Sequence, residues 1–264
     1  MKKYIFNLLI ISVLSVFLFV SCSKNTSITP TLQTCYLSSV TNVKGNVLQR
    51  FTYDANDRLI SEVNDSTGVS LAFTYNAQNT VDKITVANKV GTKVYTFIIA
   101  FTYDGTGKAN KAITTFNGNV YQTNVFTYTN NQLMQIISTD ALNNIESVRF
   151  EYSGENISKV YAKFDNDKEY LYYEITKFDA MKLNLPEAYK ALAVGLAGLA
   201  DDFYLLNKNN ALSEKYYEED GSIYHTTENI YEYNSTSQPT KLTGSYNENS
   251  VKITMVNNYQ YNCK

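Results

Sequence analysis

The residues whose chemistry could support catalysis are few. The chain has one histidine, His225, set in "GSIYHTTENIY" with no serine or cysteine nucleophile motif beside it. A histidine-based relay has no second imidazole to fall back on, and a multi-histidine metal site is impossible. No Gly-x-Ser-x-Gly, His-Glu-x-x-His or Cys-x-x-Cys occurs. The stretch "DGTGK", Asp104 to Lys108, lacks the leading glycine and the Ser/Thr of a phosphate loop, so a hairpin turn is the better reading. Acidic groups cluster as Asp165, Asp167 and Glu169, as Asp201 and Asp202, and as Glu218, Glu219 and Asp220. None has the spacing of a calcium loop, and solvated turns account for them. No catalytic residue, metal or cofactor is therefore assigned. The competing class is a glycan hydrolase whose two carboxylates meet from distant positions.

The cysteines carry a different chemistry. The N-terminus, "MKKYIFNLLIISVLSVFLFVSCSK", has Lys2 and Lys3, an uncharged run from Ile5 to Val20, and Ser21 before Cys22. The run is shorter than the ~20 apolar residues of a membrane span and is broken by Asn7, Ser12 and Ser15. It reads as an export signal over 1–21 ending at a lipidation site. Removing it takes two lysines and moves the formal charge from −2 to −4, a poor balance for a nucleic-acid binder. Residues 22–34, polar and containing Pro30, read as the lipidated cysteine and a flexible tether, and 35–264 as a single domain. In an oxidising compartment the remaining pair, Cys35 and Cys263, is expected to form a disulfide. That bridge requires the first and last strands to meet.

The elements that must position these residues come from a repeat. "FTYDANDRLISEV" at Phe51 returns at Phe73, Phe101, Phe126 and Phe150, and less closely at Ile230. Phe and Tyr two apart share one strand face, and the polar cluster that follows is hairpin-turn chemistry. An apolar pair then comes at a spacing of three: Val81 and Ile84, Ala109 and Ala112, Leu133 and Ile136, Ile157 and Val160. Either a bulge separates each pair or both strand faces are covered. The pattern predicts a mainly β protein, a curled antiparallel meander of repeated hairpins with roughly a dozen strands. "PEAYKALAVGLAGLADDF", 186–203, predicts one apolar helix packed on or inside the sheet.

Stacked repeats would align Tyr53, Tyr75, Tyr103, Tyr128 and Tyr152, and also Lys83, Lys111, Lys159 and Lys241. Core packing explains the tyrosines and a solvated face the lysines. The functional alternative is a tyrosine platform for sugar rings.

Phe-Thr-Tyr-Asp, a polar turn and a hydrophobic pair resemble the YD repeat of RHS-type proteins. "FVSC" resembles the bacterial lipobox, with Phe19 where the pattern prefers leucine. Together with "CYLSSV" and the Tyr-rich last strand, these features resemble Bacteroidota-type lipoproteins carrying such repeats. The resemblance implies a β-repeat body and a lipid anchor, and Ser23 after the cysteine implies the outer membrane. Asn76, Thr129 and Ser153 depart from the Tyr-Asp pattern, and the repeats are too few to enclose cargo as large RHS proteins do. The expected function is a non-enzymatic envelope module that binds a glycan or an envelope protein. An RHS-like fragment linked to toxin delivery is the third reading.

Overall fold

The computed structural model describes residues 34–183, 185–197, 202–248 and 251–264. Cys22, the segment 1–21 expected to be an export signal, and all but Thr34 of the expected 22–34 tether lie outside them. The chain divides into Met1–Thr34 and Cys35–Lys264, and the second unit is the folded body.

Its strands are β1 (Cys35–Asn42), β2 (Val47–Tyr53), β3 (Leu59–Asn64), β4 (Val69–Tyr75), β5 (Val81–Val90), β6 (Lys93–Tyr103), β7 (Ala109–Phe116) and β8 (Asn119–Thr129). They continue as β9 (Gln132–Asp140), β10 (Ile145–Ser153), β11 (Asn156–Phe164), β12 (Tyr170–Lys182), β13 (Asn209–Tyr217), β14 (Ile223–Tyr233), β15 (Pro239–Glu248) and β16 (Val251–Cys263). Each pairs antiparallel with its sequence neighbours, and β1 pairs with β16 from Cys35↔Cys263 to Asn42↔Asn257, which closes a sixteen-stranded barrel. The expected dozen strands is thus too few, because the segments before Phe51 and after Phe150 also form hairpins. The curl goes to full closure, which leaves no edge strand.

The spaced pairs are explained by a bulge that recurs. Phe73 pairs with Ile84 and Thr74 with Lys83, but Tyr75 pairs with Val81, so Asp82 is skipped. The same shift skips Asn110 opposite Thr102/Tyr103, Met134 opposite Thr127/Tyr128 and Ser158 opposite Glu151/Tyr152. One extra residue turns a spacing of three into one face, so Val81 and Ile84, Leu133 and Ile136, and Ile157 and Val160 are all buried.

The turns show why Asp or Asn follows the tyrosine. Asp104 Oδ1 accepts the amides of Thr106 (2.8 Å) and Lys108 (3.0 Å), and Gly107 takes a positive φ. Asn76 does the same for Gln78 and Thr80, so replacing Asp by Asn keeps the turn. In "DANDR" Asp57 itself adopts φ 63°, which removes the need for glycine. Thr129 and Ser153 stand where the turn shortens to two residues, Asn130–Asn131 and Gly154–Glu155.

One wall face points into the barrel and carries Phe73, Ile84, Ile99, Phe101, Ile136, Phe150 and Val160, all buried. The opposite face carries the cross-strand pairs Thr74/Lys83, Thr102/Lys111, Glu151/Lys159 and Glu232/Lys241. The described residues of the insertion between β12 and β13 fill part of the interior. Helix α1 (Ala188–Gly195) is shorter than the expected 186–203, and a 3-10 turn follows at Phe203–Leu206. Tyr189 packs on Phe51 and Phe73, and Phe203 meets Phe150 edge-on at 5.3 Å. A side chain at Gly195 would sit 2.9 Å from the Phe101 ring, so this glycine permits the close approach of helix and wall.

Candidate functional site

The interior is apolar where the repeats form it, with polar groups at defined places. α1 ends inside the barrel, where its last carbonyls have no water to accept from. Wall amides on β8 take that role: Asn124 Nδ2 donates to the carbonyls of Val194 (3.1 Å), Gly195 (3.2 Å) and Ala197 (3.3 Å), and Gln122 Nε2 also reaches Ala197. Both amides are buried. In sequence they occupy inward positions that hold Phe97 and Ile99 in the preceding unit, a readable signal that sequence reasoning passed over.

Two carboxylates are buried as well. Glu62 replaces the second apolar residue of the first unit, three after Leu59. It accepts from Gln49 Nε2 (3.0 Å) and from the Tyr189 hydroxyl of α1. Burial raises its proton affinity, and the two donors partly offset the rise. Glu214, on β13, is pushed up to about 7 by burial, with the Tyr216 hydroxyl at 3.4 Å opposing it. Asn229 Nδ2 reaches its other oxygen at 3.4 Å. Glu62 hydrogen-bonds the plug and Glu214 the adjacent wall, and no group of three or more His, Cys, Asp or Glu suited to a metal occurs among the described residues.

The five aligned tyrosines, Tyr53, Tyr75, Tyr103, Tyr128 and Tyr152, are partly buried and pack against the core. Their hydroxyls reach the neighbouring repeat: Tyr75 donates to Leu59 O (2.7 Å), Tyr103 to Val81 O (2.5 Å) and Tyr152 to Leu133 O (2.8 Å). Each acceptor begins the bulge of the preceding unit. Tyr261 repeats the contact on Pro239 O at 2.9 Å. Burial, with the neighbouring tyrosine, pushes Tyr128 and Tyr152 up to about 12. Tyr53 packs on Tyr36 with ring centroids 5.2 Å apart. The rim faces of Tyr75 and Tyr128 are covered by Arg58 and Lys108.

Cys35 and Cys263 are bonded, with Cα atoms 3.9 Å apart at the seam between β1 and β16. His225 lies between the rings of Tyr216 (5.4 Å) and Tyr246 (5.1 Å), with no serine or cysteine in contact with it among its described partners. Glu169 pairs with Arg149 across the outer surface.

A cavity of about 360 Å³ opens where the insertion leaves and rejoins the wall. Its lining is aliphatic at Leu183, Leu185, Pro186, Leu205 and Leu206 and charged at Glu155, Lys182, Glu187, Lys190 and Lys208. Asn207 is fixed beside it, because its Oδ1 accepts the Ile157 amide at 2.6 Å.

The molecule is thus a closed antiparallel β-barrel with a helical insertion inside. No family model and no curated protein matches the chain. Among solved structures it is similar to a porin-like protein from Bacteroides uniformis, at 16% identity and TM-score 0.53, covering 86% of this chain and 95% of that one. A porin-like protein from Bacteroides vulgatus aligns at 15% identity and TM-score 0.52, covering 86% and 99%. At these identities the likeness concerns the fold. The chain also aligns with 14% of TcdB2-TccC3 at TM-score 0.32, too low to support any argument.

Proposed function

We propose that the protein is a non-enzymatic outer-membrane lipoprotein, anchored through Cys22, whose barrel stands in water beside the membrane as a binding or structural module. The observation that carries this is the direction of the alternation. A barrel that spans lipid shows an apolar band ~25 Å tall outward and a polar interior. Here the buried aromatic and branched residues of the repeats point inward, while Arg50, Lys83, Lys111, Arg149, Lys159 and Lys241 belong to the outer face with rows of threonine. An aliphatic patch around Ile98, Val125 and Ile137 is exposed, with Lys111 beside Val125, and further large apolar side chains such as Val94, Ile145 and Ile230 are exposed elsewhere on the strands. Patches of that kind are ordinary on water-soluble proteins. The porin-like neighbours support an envelope setting by analogy of fold.

The test is Cys22→Ala in the native host. The wild type should incorporate labelled palmitate and fractionate with the outer membrane, and the variant should lose the label and appear in the soluble fraction. A variant that remains in the membrane without label would place the attachment in the barrel and overturn the proposal.

A further inference from the structure

The cavity at the insertion has a composition that selects a ligand. Its walls come from four places in the chain: the turn between β10 and β11, the end of β12 with the segment after it, the start of α1, and residues 205–208. More of its exposed lining is polar than apolar, but the apolar part is wholly aliphatic, so it lacks the aromatic ring on which a sugar stacks and offers its apolar contact to an alkyl body. Three ammonium groups face two carboxylates. Both carboxylates are held in exposed pairs, Lys190–Glu187 and Lys208–Glu155, of the kind that contribute little and exchange readily. Lys182 makes no ion pair among the described residues. The net cationic rim therefore has capacity for one more anion. Asn207 adds a second polar feature: its Oδ1 is committed to Ile157, and its buried Nδ2 has no hydrogen-bond partner. The volume lies in the range of ligand pockets, ~300–1,000 Å³.

We propose that this cavity binds an aliphatic carboxylate, with the alkyl chain against Leu183, Leu185, Leu205 and Leu206 and the head group at Lys182 and Lys208. The inference rests on the barrel being a water-exposed binding module and names the ligand class that module takes.

The test uses residues 35–264, which contain every strand of the closed barrel, and sodium decanoate below its micelle concentration as the probe in calorimetric titration. One saturable site is expected. Hexanoate should bind at least tenfold more weakly, since each buried methylene is worth about fourfold in affinity. Decan-1-ol should also bind at least tenfold more weakly. Lys182→Gln with Lys208→Gln should weaken decanoate at least fivefold while leaving the melting temperature unchanged, which separates ligand contact from folding. Equal binding of decan-1-ol, insensitivity to the lysine pair, or no saturable site would overturn the proposal. Glucuronate binding where decanoate does not would also overturn it, yet leave the binding-module reading standing. Aggregation of the protein without detergent would instead count against that broader reading.

Discussion

Glu214 shows what one buried carboxyl does to the whole. Its folded-state proton affinity lies above that of an ordinary glutamate, near 7, because burial penalises the charge and the hydrogen bonds from Tyr216 and Asn229, both at 3.4 Å, offset little of that. A raised value means that the folded state holds the proton more tightly than the unfolded one. The associated stability is complete below the ordinary glutamate range and is lost as pH rises through about 7. At ~1.4 kcal/mol per tenfold change in proton affinity, the loss is on the order of 3 kcal/mol. Glu214→Gln should flatten the stability profile between about pH 5 and 8 in urea titrations. An unchanged slope would mean that water reaches the carboxylate. Phe101 carries the opposite, apolar kind of burial: it is 6% exposed and touches both wall and plug. Phe101→Ala should cost about 3 to 5 kcal/mol. A loss under ~1 kcal/mol in the same titration would show that its ring is not core. The Phe-x-Tyr spacing made the inward face of these residues legible. Glu62 and Glu214 were not, because a glutamate in a strand looks solvated until the opposite wall is known.

At the scale of elements, the repeat was legible in its turn and strand, and the bulge was one of two readings of the spaced pair. Pairing register decides between them, since only a skipped residue lets Val81 and Ile84 share a face with Tyr75 opposite. The helix was legible as an apolar, proline-initiated segment, but its end was not. Its C-terminal carbonyls are met by Asn124 and Gln122 from a strand some seventy residues earlier in the chain. Asn124→Leu keeps the branching and number of side-chain heavy atoms and removes the donor, so it should cost at least about 1 to 3 kcal/mol through unsatisfied carbonyls. The variant should also speed amide exchange in α1 relative to the repeat strands. Equal exchange would show that the amide contributes nothing to holding the plug.

At the scale of the molecule, closure is what ties these elements together. A serial meander keeps its ends apart, whereas here β1 pairs with residues 257–263 of β16 and the Cys35–Cys263 bridge closes a separation of 228 residues. The expected export signal and the even cysteine pair made that seam an expectation. Strand number was harder to read, because only the repeated half announces its hairpins. Closure puts the apolar core inside and lysine, threonine and glutamate on the outer face, and the proposal that the barrel stands in water rests on that pattern. Sedimentation velocity of residues 35–264 in detergent-free buffer tests that claim most directly. The account predicts a single sharp, soluble species that added detergent does not change. Aggregation relieved only by detergent or lipid would contradict it.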